Sequence, residues 1–460
     1  KLGKNRFEIK HITPYEVHTI IDKLNVGKAT GIDGVGPKIL KQCGDTITPC
    51  IASIINSSIA HGVFPDKLKE ARVIPIFKSG NKEDPNNYRP ISILPTISKI
   101  FERHIATQVQ LYFEKTDVIH KTQSGFRKHH SCNTALIRLI DTWLKDVDSG
   151  KLVGAIFLDL RKAFDLVDHE ILLYKLKLYH FSEIALNLFK SYLENRNQIV
   201  KIGKIKSQKL TVTSGVPQGS ILGPLLFILY INDIAVMHPT LNIDLYADDS
   251  TLYESGYQLT DIQNKLQHHL NYVNKWCQLN NMSLHPSKTK CMLIGSANKL
   301  KNTGNLELCI NDVQIVNVVV QKLLGLYIDN TLNWHVQIDY VCKNLNKKIA
   351  LLKNIIYFLT PDTKRMFYNA YILPNFDYGC LVWGKGTNSY VNKINNLQKR
   401  IAKIILGKSK RASSTNLFKE LKWLNFSDRC KYHSAVLVYK TLNNMATSYM
   451  SELVTVSDNN

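Results

Sequence analysis

The sequence is poor in cysteine, proline and acidic residues, and each shortage excludes a class of protein. The nine cysteines among 460 residues include no Cys-x-x-Cys pair, so neither a disulfide framework nor a zinc module is indicated. Fourteen prolines in a chain that is 44% hydrophobic and 21% charged exclude a collagen-like or wholly disordered protein. The composition predicts a folded chain of roughly two to four structural units in a reducing, intracellular environment.

Long apolar runs are also absent. The longest, residues 221–231, contains Gly223 and Pro224 and is well short of the roughly 20 residues that span a bilayer. It predicts buried core, and no membrane partner is expected. The chain opens with Lys1 instead of methionine and shows no signal peptide, so we expect a piece of a longer protein.

Acidic residues are outnumbered by basic ones, 37 to 59, which gives a formal net charge of +22. Residues 331–460 alone carry 19 Lys and Arg against 7 Asp and Glu. Such a surplus favours a polyanionic partner, nucleic acid before an anionic membrane surface. A soluble protein that is merely basic is the open alternative.

Hydrophobic periodicity divides the chain into a mixed region and, beyond residue 330, a purely helical one. The segment 243–253 predicts two short strands around a tight turn, which is typical of a hairpin. The remaining predicted elements are helices over 13–60 (interrupted at the glycine-rich 30–36), 97–112, 170–193, 343–359 and 391–406, strands over 71–77 and 153–160, and loops over 78–87 and 295–304.

Two acidic sites stand out because each lies where a predicted strand ends or turns. Asp159 follows the apolar run AIFL, and Asp248 and Asp249 occupy the tip of the predicted hairpin. Two such strands lying beside each other would bring Asp159 and Asp248 within reach of shared metal ions. Since Mg²⁺ takes one or two protein carboxylates plus substrate phosphates, the pattern predicts a phosphoryl-transfer site. The alternative is a turn in which Asp serves turn geometry alone.

The acids lie in two longer segments, FLDLRKAFD at 157–165 and YADD at 246–249. These segments resemble motifs A and C of reverse transcriptases, specifically the LINE-type, jockey-like enzymes of non-LTR retrotransposons. The other matching segments, in order, are IPIFK at 74–78 and NYRPIS at 87–92 (fingers), QSGFR at 123–127, SGVPQGSILGP at 214–224 (motif B), PSKTK at 286–290 (motif D) and LLGL at 323–326 (motif E).

The resemblance implies an α+β right-hand polymerase with fingers, an antiparallel-sheet palm and a helical thumb. Residues 1–57 would be a helical N-terminal extension of the fingers, 58–330 the fingers and palm, and 331–460 a helical basic thumb. It implies an RNA-directed DNA polymerase, a nucleotidyltransferase that copies retrotransposon RNA by target-primed reverse transcription. Its partners would be an RNA template, a DNA primer or target, and dNTPs. We expect nuclear localisation with a cytoplasmic ribonucleoprotein stage, and we expect this chain itself to lack the upstream endonuclease region.

The resemblance also implies roles for individual residues at the reaction centre. Asp159, Asp248 and Asp249 would bind two Mg²⁺ ions, with Mn²⁺ as a substitute. Phe164 would lie under the sugar and exclude a 2′-hydroxyl, so deoxynucleotides are favoured; an ordinary core ring is the alternative. Asp165 and Asp168 lie past the strand, where we expect helix caps or ion pairs.

Further residues would bind the nucleotide or the nucleic acid. Those implied to contact the nucleotide are Lys78 and Arg89 at the triphosphate, Gln218 and Gly219 at the nascent base pair, and Lys288 (or its neighbour Lys290) as proton donor to pyrophosphate. Those implied to contact nucleic acid are Arg127 at the template and Lys399, Arg400 and Lys403, with Lys408, Lys410 and Arg411 further along, at a phosphate backbone. The alternatives are solvated loop cations, a turn glycine and a solvated helix face.

Two competing functions remain open. A group II intron maturase-like reverse transcriptase also carries YADD, but FDYGCLVW at 376–383 resembles the jockey-like thumb instead. A catalytically silent or domesticated RNA-binding remnant would be expected to have lost acids. Asp159, Asp248 and Asp249 are all present.

Overall fold

The computed structural model describes residues 6–386, 388–409, 411 and 413–454. It combines helices with antiparallel and mixed sheets. The helices are α1 Pro14–Asp22, α2 Pro37–Cys43, α3 Thr48–His61, α4 Thr96–Thr116, α5 Cys132–Asp148, α6 His169–Leu178, α7 Glu183–Leu193, α8 Leu222–Ile231, α9 Leu259–Leu279, α10 Ala297–Lys301, α11 His335–Ile355, α12 Pro361–Phe367, α13 Pro374–Asp377, α14 Cys380–Trp383, α15 Asn388–Ile405, α16 Ser414–Leu421, α17 Phe426–Leu442 and α18 Ser448–Leu453. The strands are β1 Glu70–Phe77, β2 Tyr88–Ile93, β3 Leu152–Leu158, β4 Arg196–Ile202, β5 Ile205–Lys206, β6 Leu210–Val212, β7 Ile243–Tyr246, β8 Asp249–Gly256, β9 Lys290–Ile294, β10 Cys309–Ile310, β11 Val313–Gln314, β12 Val316–Asn317, β13 Val320–Leu323 and β14 Leu326–Asp329.

The chain forms two compact units, each assembled from three separate segments. Unit 1 comprises the described residues up to Phe126 together with Asp159–Leu241 and Asn271–His285. Unit 2 comprises Arg127–Leu158, Asn242–Leu270 and the described residues from Pro286 onward. The predicted division of the chain at residues 57 and 330 stays a prediction.

Unit 1 contains a sheet in the order β2-β1-β4-β5, with β6 also paired to β4. β1 runs antiparallel to β2 and parallel to β4. Large aromatic side chains are buried between elements of this unit: Phe64, in the loop after α3, stacks on Phe101 of α4 at 4.8 Å between ring centroids and meets Tyr192 of α7 edge-on at 5.1 Å. Such packing holds the helices that flank the sheet.

Unit 2 contains a sheet in the order β12-β9-β3-β8-β7. All seven residues of β3 are buried, and β3 pairs antiparallel with both β8 and β9. The predicted central strand is therefore confirmed. It ends at Leu158, two residues earlier than predicted, so Asp159 lies just outside it.

The described residues from His335 onward are helical, as predicted, and contain no strand. In α11 the predicted stripe is buried at Leu345, Ile349 and Leu352. Trp383 stacks on Phe426 at 5.2 Å, which joins α14 to α17. An apolar stripe at helical spacing was thus sufficient to predict this core.

Two predictions about local structure were wrong. The segment 170–193 forms two helices, because His180 adopts a left-handed φ of +61° and the Ser182 side chain then caps α7 by accepting from the Ala185 amide. The segment 295–304 is not a plain loop, since the Ser296 side chain accepts from the Lys299 amide and starts α10. In both places a serine cap begins a helix that hydrophobic spacing alone does not reveal.

Candidate active site

The YADD segment forms the predicted hairpin. β7 and β8 pair antiparallel with Tyr246 opposite Asp249, so Ala247 and Asp248 make the two-residue connection. Ala247 has a left-handed φ of +56°, a conformation that costs free energy for a residue with a Cβ atom. Asp248 and Asp249 are both exposed. Asp249 is the first residue of β8 instead of a turn residue, which corrects the predicted tip by one position.

Asp159 follows β3, the strand that pairs with β8. The last residue of β3, Leu158, lies opposite Ser250, which is the neighbour of Asp249 in the chain. Asp159 itself is partly exposed, and its carbonyl accepts a 2.8 Å hydrogen bond from the amide of His285. The chain therefore leaves the buried strand at a carboxylate, as the sequence predicted.

Sequence reasoning missed an ion pair beside the hairpin. The Arg138 guanidinium on α5 donates to the carboxylate of Asp244 on β7, and both side chains are largely buried. Burial, the Cys132 thiol and the Asp249 carboxylate raise the pKa of Tyr246 to about 12, so its hydroxyl keeps its proton at neutral pH. For the Arg138–Asp244 ion pair, the only signal in the sequence is that an acidic residue, Asp244, stands between the apolar Ile243 and Leu245 of a predicted strand.

Carboxylates are the ligand class that a magnesium site requires. Among the residues that the structure describes, no group of three or more His, Cys, Asp or Glu side chains is arranged to hold a metal ion by itself. Mg²⁺ usually takes one or two carboxylates and completes its shell with water and substrate phosphates. Asp248 and Asp249 are exposed neighbours at the hairpin and supply that number of hard oxygen donors. This donor set fits an ion shared with a nucleotide triphosphate.

Phe164 is a partly exposed ring that packs against a buried aromatic ring. It stacks on the buried Phe227 at 4.3 Å between centroids, with 23° between ring planes, and meets the exposed Phe126 edge-on at 6.5 Å. Stacking of this kind fixes the plane of the ring. The geometry is compatible with the implied place under a sugar and also with a role at the edge of the core.

The motif B turn, residues 214–224, is attached to two other segments at Gln218 and Gly219. The side-chain nitrogen Nε2 of Gln218 donates to Asp165 Oδ1 at 2.8 Å. The backbone carbonyl of Gln218 accepts from the backbone amide of Ser92 at 2.7 Å. Gly219 has a φ of +122°, and an added Cβ would lie 2.4 Å from the Ser92 carbonyl oxygen. The Ser92 carbonyl therefore requires glycine at position 219, whether or not a base pair also lies against this residue. Asp165 binds Gln218, while Asp168 is the N-cap of α6, as predicted.

Lys78 and Arg89 lie on the same face of the β1–β2 hairpin. Arg89 is opposite Ile76, and the Lys78 amide donates to the Asn87 carbonyl, which continues the ladder. Because alternate residues share a face, the side chains of Ile76, Lys78 and Arg89 point the same way. Both cations are exposed.

The remaining predicted contact residues differ in exposure. Lys288 is exposed, whereas Lys290 Nζ donates to the Ser287 carbonyl at 3.0 Å. Because Lys290 already binds a backbone carbonyl, Lys288 is the better candidate for the proton donor to pyrophosphate. Arg127 is partly exposed.

The basic residues of α15 differ in how far they are exposed to solvent. Arg400 is exposed and its Nη1 donates to Asn346 Oδ1 at 3.4 Å, whereas Lys399 and Lys403 are half-buried. The side chains of Gln398 and Ala402 are buried together with the apolar residues Ile394 and Ile401 of the same helix, which explains the reduced exposure of the two lysines. Lys410, of the same predicted basic group, lies outside the described residues.

Motif E and the FDYG segment contact each other, which the sequence did not reveal. Leu324 and Gly325 form the two-residue turn between β13 and β14, with φ values of +43° and +87°. The Tyr378 hydroxyl donates to the carbonyl of Leu324. The next amide, of Gly379, donates to Asn133 Oδ1 at 3.2 Å. One tyrosine therefore stabilises a turn in which Leu324, a residue with a Cβ atom, adopts a left-handed conformation.

None of the helices in the described ranges is both long and apolar enough to cross a membrane. A family model described as "Reverse transcriptase (RNA-dependent DNA polymerase)" matches residues 78–341. The probable RNA-directed DNA polymerase from transposon X-element of Drosophila melanogaster is 30% identical, over 92% of this chain and 47% of that protein. The RNA-directed DNA polymerases from mobile element jockey of Drosophila melanogaster and Drosophila funebris are 29% and 28% identical, over 96% and 86% of this chain and 48% and 44% of those proteins.

The chain thus spans about half the length of these curated relatives. The matches confirm the resemblance to non-LTR, jockey-like reverse transcriptases on which the implied roles rest. The chain belongs to the reverse transcriptase (RNA-dependent DNA polymerase) family.

Proposed function

We propose that this chain is an RNA-directed DNA polymerase that extends a primer 3′ end along an RNA template. The observation that carries the proposal is the exposed Asp248–Asp249 pair, on a hairpin whose strand β8 pairs with the strand that leads into Asp159. Membership in the reverse transcriptase family supports the same reaction.

In this proposal Asp159, Asp248 and Asp249 hold two Mg²⁺ ions, for which Mn²⁺ can substitute. When bound, such ions lower the pKa of the primer 3′-hydroxyl and neutralise charge on the triphosphate and the departing pyrophosphate. The protein's own part is to fix the backbone that carries these acids, with Asp248 and Asp249 at the β7–β8 hairpin and Asp159 directly after β3, so that little reorganisation is needed during the reaction.

The nucleotide would be positioned by side chains of unit 1. Lys78 and Arg89 bind the triphosphate oxygens, with which a guanidinium can form two charge-assisted hydrogen bonds. Phe164 excludes a 2′-hydroxyl by its bulk, and Gln218 and Gly219 contact the nascent base pair. Lys288 donates a proton to pyrophosphate.

The nucleic acid would be bound by Arg127 at the template and by Lys399, Arg400 and Lys403 at the phosphate backbone. We further propose the right-hand arrangement, with a helical extension over 1–57, fingers and palm over 58–330 and a thumb over 331–460. Target-primed synthesis on the element's own RNA and action in the nucleus belong to the same proposal, because the resemblance to non-LTR retrotransposon enzymes implies them.

Homopolymer-templated synthesis tests the proposal. The purified chain, given poly(rA), an oligo(dT) primer, dTTP and Mg²⁺, is expected to extend the primer. A domesticated RNA-binding remnant would bind the same template and primer without incorporating dTTP. That outcome, in a preparation that binds RNA normally, would contradict the proposal.

A further inference from the structure

A buried glutamate on α4 caps the helix that follows the motif B turn. Glu102 is completely buried, and its Oε2 accepts hydrogen bonds from the amides of Ile221 at 2.5 Å and Leu222 at 3.2 Å. Ile221 directly precedes α8 and Leu222 is its first residue, and N–H groups at the start of a helix have no partner within it. Ser98 Oγ donates to the other carboxylate oxygen at 3.1 Å. Glu102 therefore satisfies the start of α8 from a distant part of the chain.

A basic group and several hydrogen-bond donors surround the Glu102 carboxyl. The Arg196 guanidinium is buried nearby and donates from Nη1 to the Tyr192 carbonyl at 2.9 Å. Burial raises the pKa of the Glu102 carboxyl above its usual value, and Arg196, the two amides and Ser98 offset this rise only in part. A carboxylate at a helix N-terminus is further stabilised by the helix dipole.

The cap lies three residues past Gln218. The turn between them is braced internally, since Ser220 Oγ accepts from the Gly223 amide and donates to the Pro217 carbonyl, both at 2.9 Å. At its other end the turn is held by the Val216 amide, which donates to the Phe164 carbonyl at 2.9 Å. Glu102 is thus one of two anchors that bracket Gln218 and Gly219.

We propose that Glu102 is a positioning residue for the incoming nucleotide, because its cap on α8 fixes Gln218 and Gly219 against the Phe164–Asp165 segment. The inference rests on the proposed function, in which these residues contact the nucleotide. Glu102 would not touch the nucleotide and would act only through the turn.

Two variants of similar volume test this. Glu102→Met removes both acceptor oxygens, and Glu102→Gln keeps one. We expect the dNTP KM to rise about tenfold in Glu102→Met and by less in Glu102→Gln, with the Kd for primer–template within about twofold of wild type, because a small displacement of a positioning group weakens nucleotide placement. Amide hydrogen exchange over 218–222 should quicken in the same order, whether or not the chain is active.

A matched control is Lys175→Met, which removes another buried charge from unit 1. Lys175 Nζ donates to the Tyr230 carbonyl at 2.6 Å and to Asp233 at 2.8 Å, so its loss should lower the Tm and leave the dNTP KM unchanged. A folded Glu102→Met variant with wild-type KM and wild-type exchange would overturn the inference. If that variant does not fold, Glu102→Gln decides by the same two readouts.

A wild-type chain that incorporates no dNTP would instead overturn the proposed function. The exchange measurement would then still show whether Glu102 fixes the turn.

Discussion

The two large sheets present their charged residues in opposite ways. In unit 2, β3 is buried along its whole length and the chain leaves it at Asp159, while the neighbouring hairpin ends in Asp248 and Asp249. In unit 1, the face of β1 and β2 that carries Lys78 and Arg89 is open to solvent. Short acidic side chains thus depend on a rigid backbone for their position, whereas long basic side chains can adjust.

This difference predicts unequal sensitivity to substitution. No neighbouring side chain can replace a carboxylate that holds a metal ion, because a short side chain places its oxygens only where the backbone positions them. An exposed cation acts through a flexible stem, and a neighbouring cation can replace part of its charge. Substitutions at the acids should therefore abolish the reaction, and those at the cations should weaken it by degrees.

The largest effect is expected at Asp159. Asp159→Asn keeps the shape of the side chain and removes the charge that would hold Mg²⁺ in the proposed site, so kcat should fall roughly 10³-fold or more. Asp168→Asn is the matched control, because Asn is also a good N-cap for α6 and activity should stay near wild type. Single-turnover nucleotide addition measures both variants. Equal effects of the two substitutions would show that Asp159 has no special role.

A smaller effect is expected at the exposed cations. Arg89→Ala should raise the dNTP KM roughly tenfold, since it removes charge-assisted hydrogen bonds to phosphate. Lys82, whose ammonium lies 5.9 Å from the centre of the Phe77 ring, is a cation of the adjoining loop and serves as the control. Steady-state kinetics should show Lys82→Ala within about twofold of wild type, as an exposed cation without a phosphate partner contributes little. If both variants bind dNTP as wild type does, Arg89 is only a solvated loop cation.

Phe164 should affect selectivity more than rate. Phe164→Ala opens space for a 2′-hydroxyl, so the ratio of kcat/KM for rNTP to that for dNTP should rise roughly 10- to 100-fold. Phe126→Ala removes the neighbouring exposed ring and should leave the ratio unchanged. Matched single-nucleotide kinetics test this. An unchanged ratio in Phe164→Ala would make Phe164 a core residue only.

The smallest effect is expected on α15. Lys399→Glu combined with Lys403→Glu should weaken primer–template binding several-fold and flatten its salt dependence, because fewer counterions are released. Lys431→Glu reverses an exposed lysine on α17 and is the control. Affinities measured at several salt concentrations that match wild type for the double variant would show that these lysines are a solvated face.

Three strands of the sheet in unit 2, namely β3, β7 and β8, could be predicted because their signals are local, whereas β9 and β12 were not predicted. The run 153–158 is apolar throughout, and the hairpin needs only two short strands around a tight turn. The bonds that support the site could not be predicted in this way. Arg138 and Asp244 are 106 residues apart, and Glu102 and Ile221 are 119 residues apart. No periodicity relates partners at such separations.

Local caps explain the other differences. The break in 170–193 depends on one left-handed residue, His180, and on the Ser182 cap, while the apolar spacing continues through both helices. The half-burial of Lys399 and Lys403 follows from Gln398 and Ala402, which widen the buried face beyond its apolar residues. Polarity alone is thus an incomplete guide to which helix positions face solvent.

Single-nucleotide addition by Asp248→Asn on a primed RNA template, measured across a range of Mg²⁺ concentrations, tests the central claim most directly. The amide cannot supply the charge that a metal site at the hairpin needs, so DNA synthesis should be lost at every concentration while RNA binding stays within a few-fold of wild type. Substantial primer extension by this variant at the Mg²⁺ concentration that serves the wild type would contradict the account.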